Sequence, residues 1–169
     1  MHSTMILIEP TIQARFGRRL RLRSLSGFLE DAAAAAKLHG EVSVLLTGDA
    51  RIRRLNRQFR RKDKPTDVLS FPAPDLPGDH SVAGDLAISV ETAARQAEDL
   101  GHSLGVEVQV LILHGLLHLA GYDHERDSGQ MARREATLRR RLGLSHGLIE
   151  RSKAGTSARA SRRREVRRP

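Results

Sequence analysis

At 169 residues with 39% hydrophobic content, the chain is long enough for one domain with a real core and short for two. It has no cysteine, which excludes disulfides and thiolate metal sites and fits a reducing cytoplasm. No run reaches the ~18 apolar residues of a membrane span, and the first ten residues lack an export-type apolar stretch. The net charge of +9 is unevenly placed. From Glu150 to Pro169 there are eight basic and two acidic residues, a net +6, which leaves 21 basic and 18 acidic residues, or +3, for the body. Residues 1–145 are expected to form the domain, and 146–169 a basic, disordered tail serving either phosphate attraction or solubility.

Met5 to Glu9 reads as a strand ended by Pro10. Leu20, Leu22, Leu25, Phe28 and Leu29, followed by alanines to Ala36, predict a helix ended by Gly40. Val42 to Thr47 reads as a buried strand. Asp49 is placed to cap the next helix, with Ile52, Leu55 and Phe59 as its buried stripe. Arg57, Arg60, Arg61, Lys62 and Lys64 then gather around Asp63, either as a phosphate site or as a solvated helix end.

Asp67 to Phe71 predicts a third strand, with Thr66 and Asp67 as turn-fixing groups. Pro72 to Val82 reads as a loop with Asp75 and Asp79 in solvent. Gly84 to Val90 alternates in polarity as a fourth strand, in which Asp85 is first a structural residue and second a candidate base. Ser89 is positioned to cap a helix over Glu91 to Leu100, and Gly101 breaks it. An apolar helix then runs from about Leu104 to Leu119, and Ser128 is positioned to cap a last helix ending at Leu142 and Gly143. The fold class expected is α+β: one mixed sheet of about four strands covered by helices.

The apolar helix leads into His114-Gly115-Leu116-Leu117-His118-Leu119-Ala120-Gly121-Tyr122-Asp123-His124. Residues four apart project from one helix face, so His114 and His118 stand about 6 Å apart along the axis. Gly121 can leave the helix through a left-handed turn and return His124 to the same point. Neutral imidazole suits zinc, and three protein ligands with no obvious fourth is the pattern of a catalytic ion. Asp123 is either a fourth ligand or an acceptor for an imidazole N–H. Gly115 occupies the position of the general-base Glu in the HExxH motif, which argues against a peptidase.

This stretch is similar to the signature of the YbeY family, bacterial rRNA maturation factors and metal-dependent endoribonucleases. The resemblance extends over about Val42 to Leu142. Leu55-Asn56-x-x-Phe59-Arg60 through Asp63, Thr66 and Asp67 to Pro72 matches a second family signature, and Gly84 to Ser89 a third. It implies one zinc ion on His114, His118 and His124, with His114, His118 and Arg60 as catalytic residues. It implies a cytoplasmic endoribonuclease acting on single-stranded rRNA at the 3′ end of the small-subunit rRNA, and in ribosome quality control. A small-subunit ribosomal protein is an expected partner; membrane and DNA are not. The attacking group, metal-activated water or the RNA 2′-hydroxyl, stays open. The alternative is a non-catalytic, zinc-stabilised assembly factor that binds RNA.

Overall fold

The computed structural model describes residues 3–78 and 80–144. The basic tail and Asp79 lie outside those residues. The elements run β1 (Thr4–Ile8), α1 (Pro10–Leu20), α2 (Leu22–Ala35), β2 (Glu41–Thr47), α3 (Asp49–Arg60), β3 (Val68–Pro72), β4 (Val82–Ser89), α4 (Val90–Leu100), α5 (Leu104–Leu119) and α6 (Gln130–Arg141). The sheet order is β1-β2-β4-β3. β1 and β4 pair parallel with β2, and β3 pairs antiparallel with β4. The expected α+β architecture with a four-stranded mixed sheet is therefore present.

Strand alternation divides the molecule into two cores. Val42, Val44, Leu46, Leu86 and Ile88 face the larger one, filled from the other side by apolar residues of α1, α2, α4, α5 and α6. The opposite face carries α3 over a small cluster of Ile52, Leu69 and Ala87, with Leu45, Leu55 and Phe71 at its margin. α5 is the centre of the larger core, with Val108, Leu111, Ile112, Leu116 and Leu117 completely or almost completely buried. A helix apolar on nearly every side is stable only when surrounded in this way.

Four local expectations need correction. The region after β1 holds two helices. Pro10 opens α1 at a first-turn position, where its missing N–H costs nothing. Ile12, Phe16 and Leu20 bury its face at helical spacing, and Arg21, at φ 51°, breaks it from α2. Asp49 does not cap α3; Gly48 holds that position. The Asp49 carboxylate instead accepts hydrogen bonds from Ser89 Oγ (2.5 Å), Thr92 Oγ1 (2.6 Å) and Arg95 (2.8 Å). Partial burial opposes its charge, but these three bonds outweigh it and hold the carboxyl below its usual range.

The α3 stripe is Ile52 and Asn56, with Leu55 half-buried, whereas Phe59 is 59% exposed. Finally, Gly129, not Ser128, holds the N-cap position of α6, and Asp127 satisfies the N–H groups at its start. Asp127 accepts from the backbone N–H groups of Gly129 and Met131, both at 2.7 Å. The Met131 bond is the main influence holding the Asp127 carboxyl below its usual range. Ser89 caps α4 as expected, accepting from the Thr92 N–H.

Candidate metal centre

α5 begins at Ser103, whose Oγ accepts from the Val106 N–H, and it carries two imidazoles to the C-terminal end of the core. His114 is buried and His118 half-buried. Gly115, between them, packs directly on β4: a Cβ there would come within 2.8 Å of the Leu86 side chain. That contact leaves no room for a glutamate. It also explains why α5 can approach the sheet closely enough for Ser70 Oγ on β3 to donate to the Gly115 carbonyl at 3.3 Å.

The helix ends as the sequence predicts. Tyr122 N–H donates to the Leu117 carbonyl (3.1 Å) and Gly121 N–H to the His118 carbonyl (3.0 Å), with Gly121 at φ +94°. This paired closure satisfies two carbonyls that the helix end would otherwise leave orphaned. The chain then reverses and brings exposed His124 back to the cluster. The turn is tightened by Asp123, whose carboxylate accepts from the Glu125 N–H at 3.0 Å and pairs with Arg126 at 3.5 Å. Of the two roles open to Asp123, the carboxylate makes no hydrogen bond to an imidazole among the described residues; it serves the turn.

The three imidazoles converge. Ring centroids lie 4.8 Å apart for His114 and His118, and 5.3 Å apart for each of the other two pairs. One ligand nitrogen from each lies within 4.8 Å of the others, so the three can hold a metal ion. The Nε2 atoms of His114 and His118 are 3.2 Å apart. Tetrahedral zinc with ligands at ~2.05 Å requires an edge of about 3.3 Å, so this pair already has the needed spacing.

Protonation favours the same use. Burial is the largest influence on His118, and the neighbouring His114 and His124 add to it; together they push it from 6.5 down to about 4, against the opposing pull of the Tyr122 backbone and Asp123. A ring of that acidity is neutral near pH 7 and presents a lone pair.

The sequence reading missed Glu135. It lies on α6, is 2% exposed, and its Oε2 is 3.0 Å from His114 Nδ1. With Nδ1–H donating to this carboxylate, Nε2 is the lone-pair nitrogen and faces the other histidines. The second oxygen, Oε1, is buried with no hydrogen-bond partner. A half-satisfied buried carboxylate needs a cation nearby, and an ion held by His114 would supply one. A signal for Glu135 did exist: Met131, Glu135 and Leu138 are the buried residues of α6, so an acid stands on its apolar stripe.

Arg60 is not joined to this cluster. It is the exposed last residue of α3, on the opposite face of the sheet from α5, and its side chain makes no hydrogen bond or ion pair among the described residues. Asp85 is exposed on β4, on the α3 side and opposite Phe71. Asp67 serves the turn before β3: its carboxylate accepts from the Val68 N–H (2.7 Å) and Gln96 Nε2 (3.0 Å).

A family model for endoribonuclease YbeY matches residues 15–143. The chain belongs to the YbeY family. A YbeY from Koribacter versatilis, bearing the name endoribonuclease, is 52% identical over 142 residues, covering 84% of this chain and 91% of that one. One from Solibacter usitatus is 48% identical over 145 residues, 86% of each chain. The solution structure of a Thermotoga maritima protein superposes with a TM-score of 0.51 at 27% identity, over 81% of this chain and 85% of that one. Among the described residues, no single helix is long and apolar enough to cross a membrane. The bent pair α4 and α5 passes by composition alone because α5 is a core helix.

Proposed function

We propose that this YbeY-family chain is a zinc-dependent endoribonuclease that cuts single-stranded rRNA, maturing the 3′ end of the small-subunit rRNA and serving ribosome quality control in the cytoplasm. The observation that carries the reading is the convergence of His114, His118 and His124, with Glu135 turning the His114 lone pair toward the other two. An imidazole set without thiolates suits zinc. Such an ion, when bound, supplies a Lewis acid at a phosphate oxygen and can activate water. The activity for which the family is named, endoribonuclease, agrees with that chemistry.

The protein's own residues then have distinct tasks. His114 and His118 form a fixed pair on one rigid helix, while His124 closes the set from the turn. Glu135 fixes the His114 tautomer and offsets charge gathered on the histidines. We assign Arg60 to a backbone phosphate of the bound RNA, where its planar guanidinium can make two parallel hydrogen bonds. A small-subunit ribosomal protein is the expected protein partner.

The test is the mapped 3′ end of small-subunit rRNA in cells depleted of the protein and resupplied with the intact chain or His118→Ala. The intact chain clears the precursor and His118→Ala does not, although it folds and binds RNA. If folded His118→Ala restores the mature end equally well, the protein is instead a non-catalytic assembly factor.

A further inference from the structure

The chain has four phenylalanines, one tyrosine and no tryptophan. It nevertheless places Phe59 in solvent near the end of α3, a helix with five arginines and one acid. Phe71 meets that ring edge-on, with centroids 5.3 Å apart and planes at 73°. The contact holds the ring in place and leaves more than half of the residue open.

Arg60 and Arg61 follow it directly in the chain. The side chains of Arg54, Arg60 and Arg61 are exposed and make neither a hydrogen bond nor an ion pair among the described residues, and Arg57 interacts with Asp63 only through its charge. The local acid, Asp63, is taken by Arg53 through two bonds of 2.8 and 3.1 Å. Arg53, Arg54 and Arg57 line an open groove of about 500 Å³ with Ala50 and Asp63, on the outer side of α3, away from the side that carries Phe59. The basic loop is tied to the helix at Asn56, which is 2% exposed. Its Nδ2 donates to the Lys64 carbonyl at 2.8 Å, and its own carbonyl accepts from the Lys62 N–H.

We propose that Phe59 is a stacking platform for a base of single-stranded RNA, with the adjoining Arg60 and Arg61 holding the flanking phosphates. An open aromatic face beside unpaired guanidinium groups suits a ligand offering flat rings and regular negative charge. A duplex hides its base faces, and a ring-free polyanion has none. The proposal rests on the endoribonuclease reading and extends it to how substrate is held.

Its placement fits that role. Phe71 and Ser70 are neighbours on β3, the edge strand, and point to opposite sheet faces. Phe71 supports Phe59, while Ser70 bonds the carbonyl of Gly115, the residue after His114. A strand stacked on Phe59 reaches the histidines by rounding this one edge.

Binding is measured with a fluorescent oligouridine and the full chain carrying His118→Ala, which leaves the RNA uncut. Phe59→Leu keeps an apolar cover over Phe71 but removes the ring. It melts normally and binds about tenfold more weakly. Phe59→Trp introduces the chain's sole tryptophan; oligouridine quenches its emission, and an abasic ribose-phosphate oligomer of equal length does not. Equal affinity of Phe59→Leu and the parent, or equal quenching by the abasic oligomer, overturns the stacking role. Failure of the intact, zinc-loaded chain to cut RNA would instead sink the nuclease reading while leaving the quenching result intact.

Discussion

Glu135→Gln isolates the role of a residue remote in sequence from the histidines. The substitution keeps size and shape and removes one negative charge. In the parent chain, the His114 Nδ1–H bond to Glu135 is 3.0 Å long, between side chains 8% and 3% exposed, so water screens it little. A hydrogen bond to a charged partner contributes about 1.5–3 kcal/mol. The glutamine oxygen can still accept, but without that charge, and its NH₂ falls where Glu135 Oε1 already lacks a partner. Zinc affinity should therefore fall roughly 10- to 100-fold, or about 1.4–2.7 kcal/mol. Competition against a chromophoric chelator at pH 7.5 measures this directly, and thermal melts with and without zinc report the same loss as a smaller metal-induced rise in Tm. Unchanged zinc affinity in a Glu135→Gln chain that melts like the parent would refute the orienting role.

Other perturbations test the rest of the site. In the metal-free chain the His118 ring should titrate by NMR with a midpoint near 4; a midpoint near 6.5 would show that burial does not control it. Because that folded-state value lies below the unfolded one, the unfolded chain takes up the proton first. The His118 contribution to metal-free stability is therefore complete above about pH 6.5 and declines as pH falls toward 4, which denaturant midpoints across that window measure. Gly115→Ala should cost about 1–3 kcal/mol, because Leu86 is 1% exposed and cannot withdraw easily; chemical denaturation with an unchanged m-value checks it. Gly121→Ala meets no atom within 4 Å, so only its φ of +94° is penalised. It should cost about 1–2 kcal/mol and weaken zinc binding through His124, whereas unaltered zinc affinity would mean His124 needs no such turn.

The grouping of the three histidines was legible because its signals are local. Two histidines one helical turn apart face the same way in any α-helix, and a glycine two residues past the helix end is the residue that closes it through φ > 0. The apolar character of α5 likewise announced a core helix. Signals with two meanings were read less well. Pro10 can end a strand or open a helix, and Asp49 at a helix start can cap its own backbone or serve neighbouring side chains. Its oxygens took the second course because β4 and α4 bring Ser89, Thr92 and Arg95 within reach.

Periodicity and short spacings along the chain therefore set the order of most elements, the mixed α+β class and the grouping of the three imidazoles. Which residues outside that stretch serve it depends on how the elements pack in three dimensions. Glu135 reaches His114 from 21 positions away because α6 packs on α5. Phe59 lies on a helical stripe but outside the core because the apolar cluster beneath α3 is small. Arg60 and the histidines fall on opposite sheet faces because successive residues of a strand point in opposite directions, and helix packing selects the face each element covers.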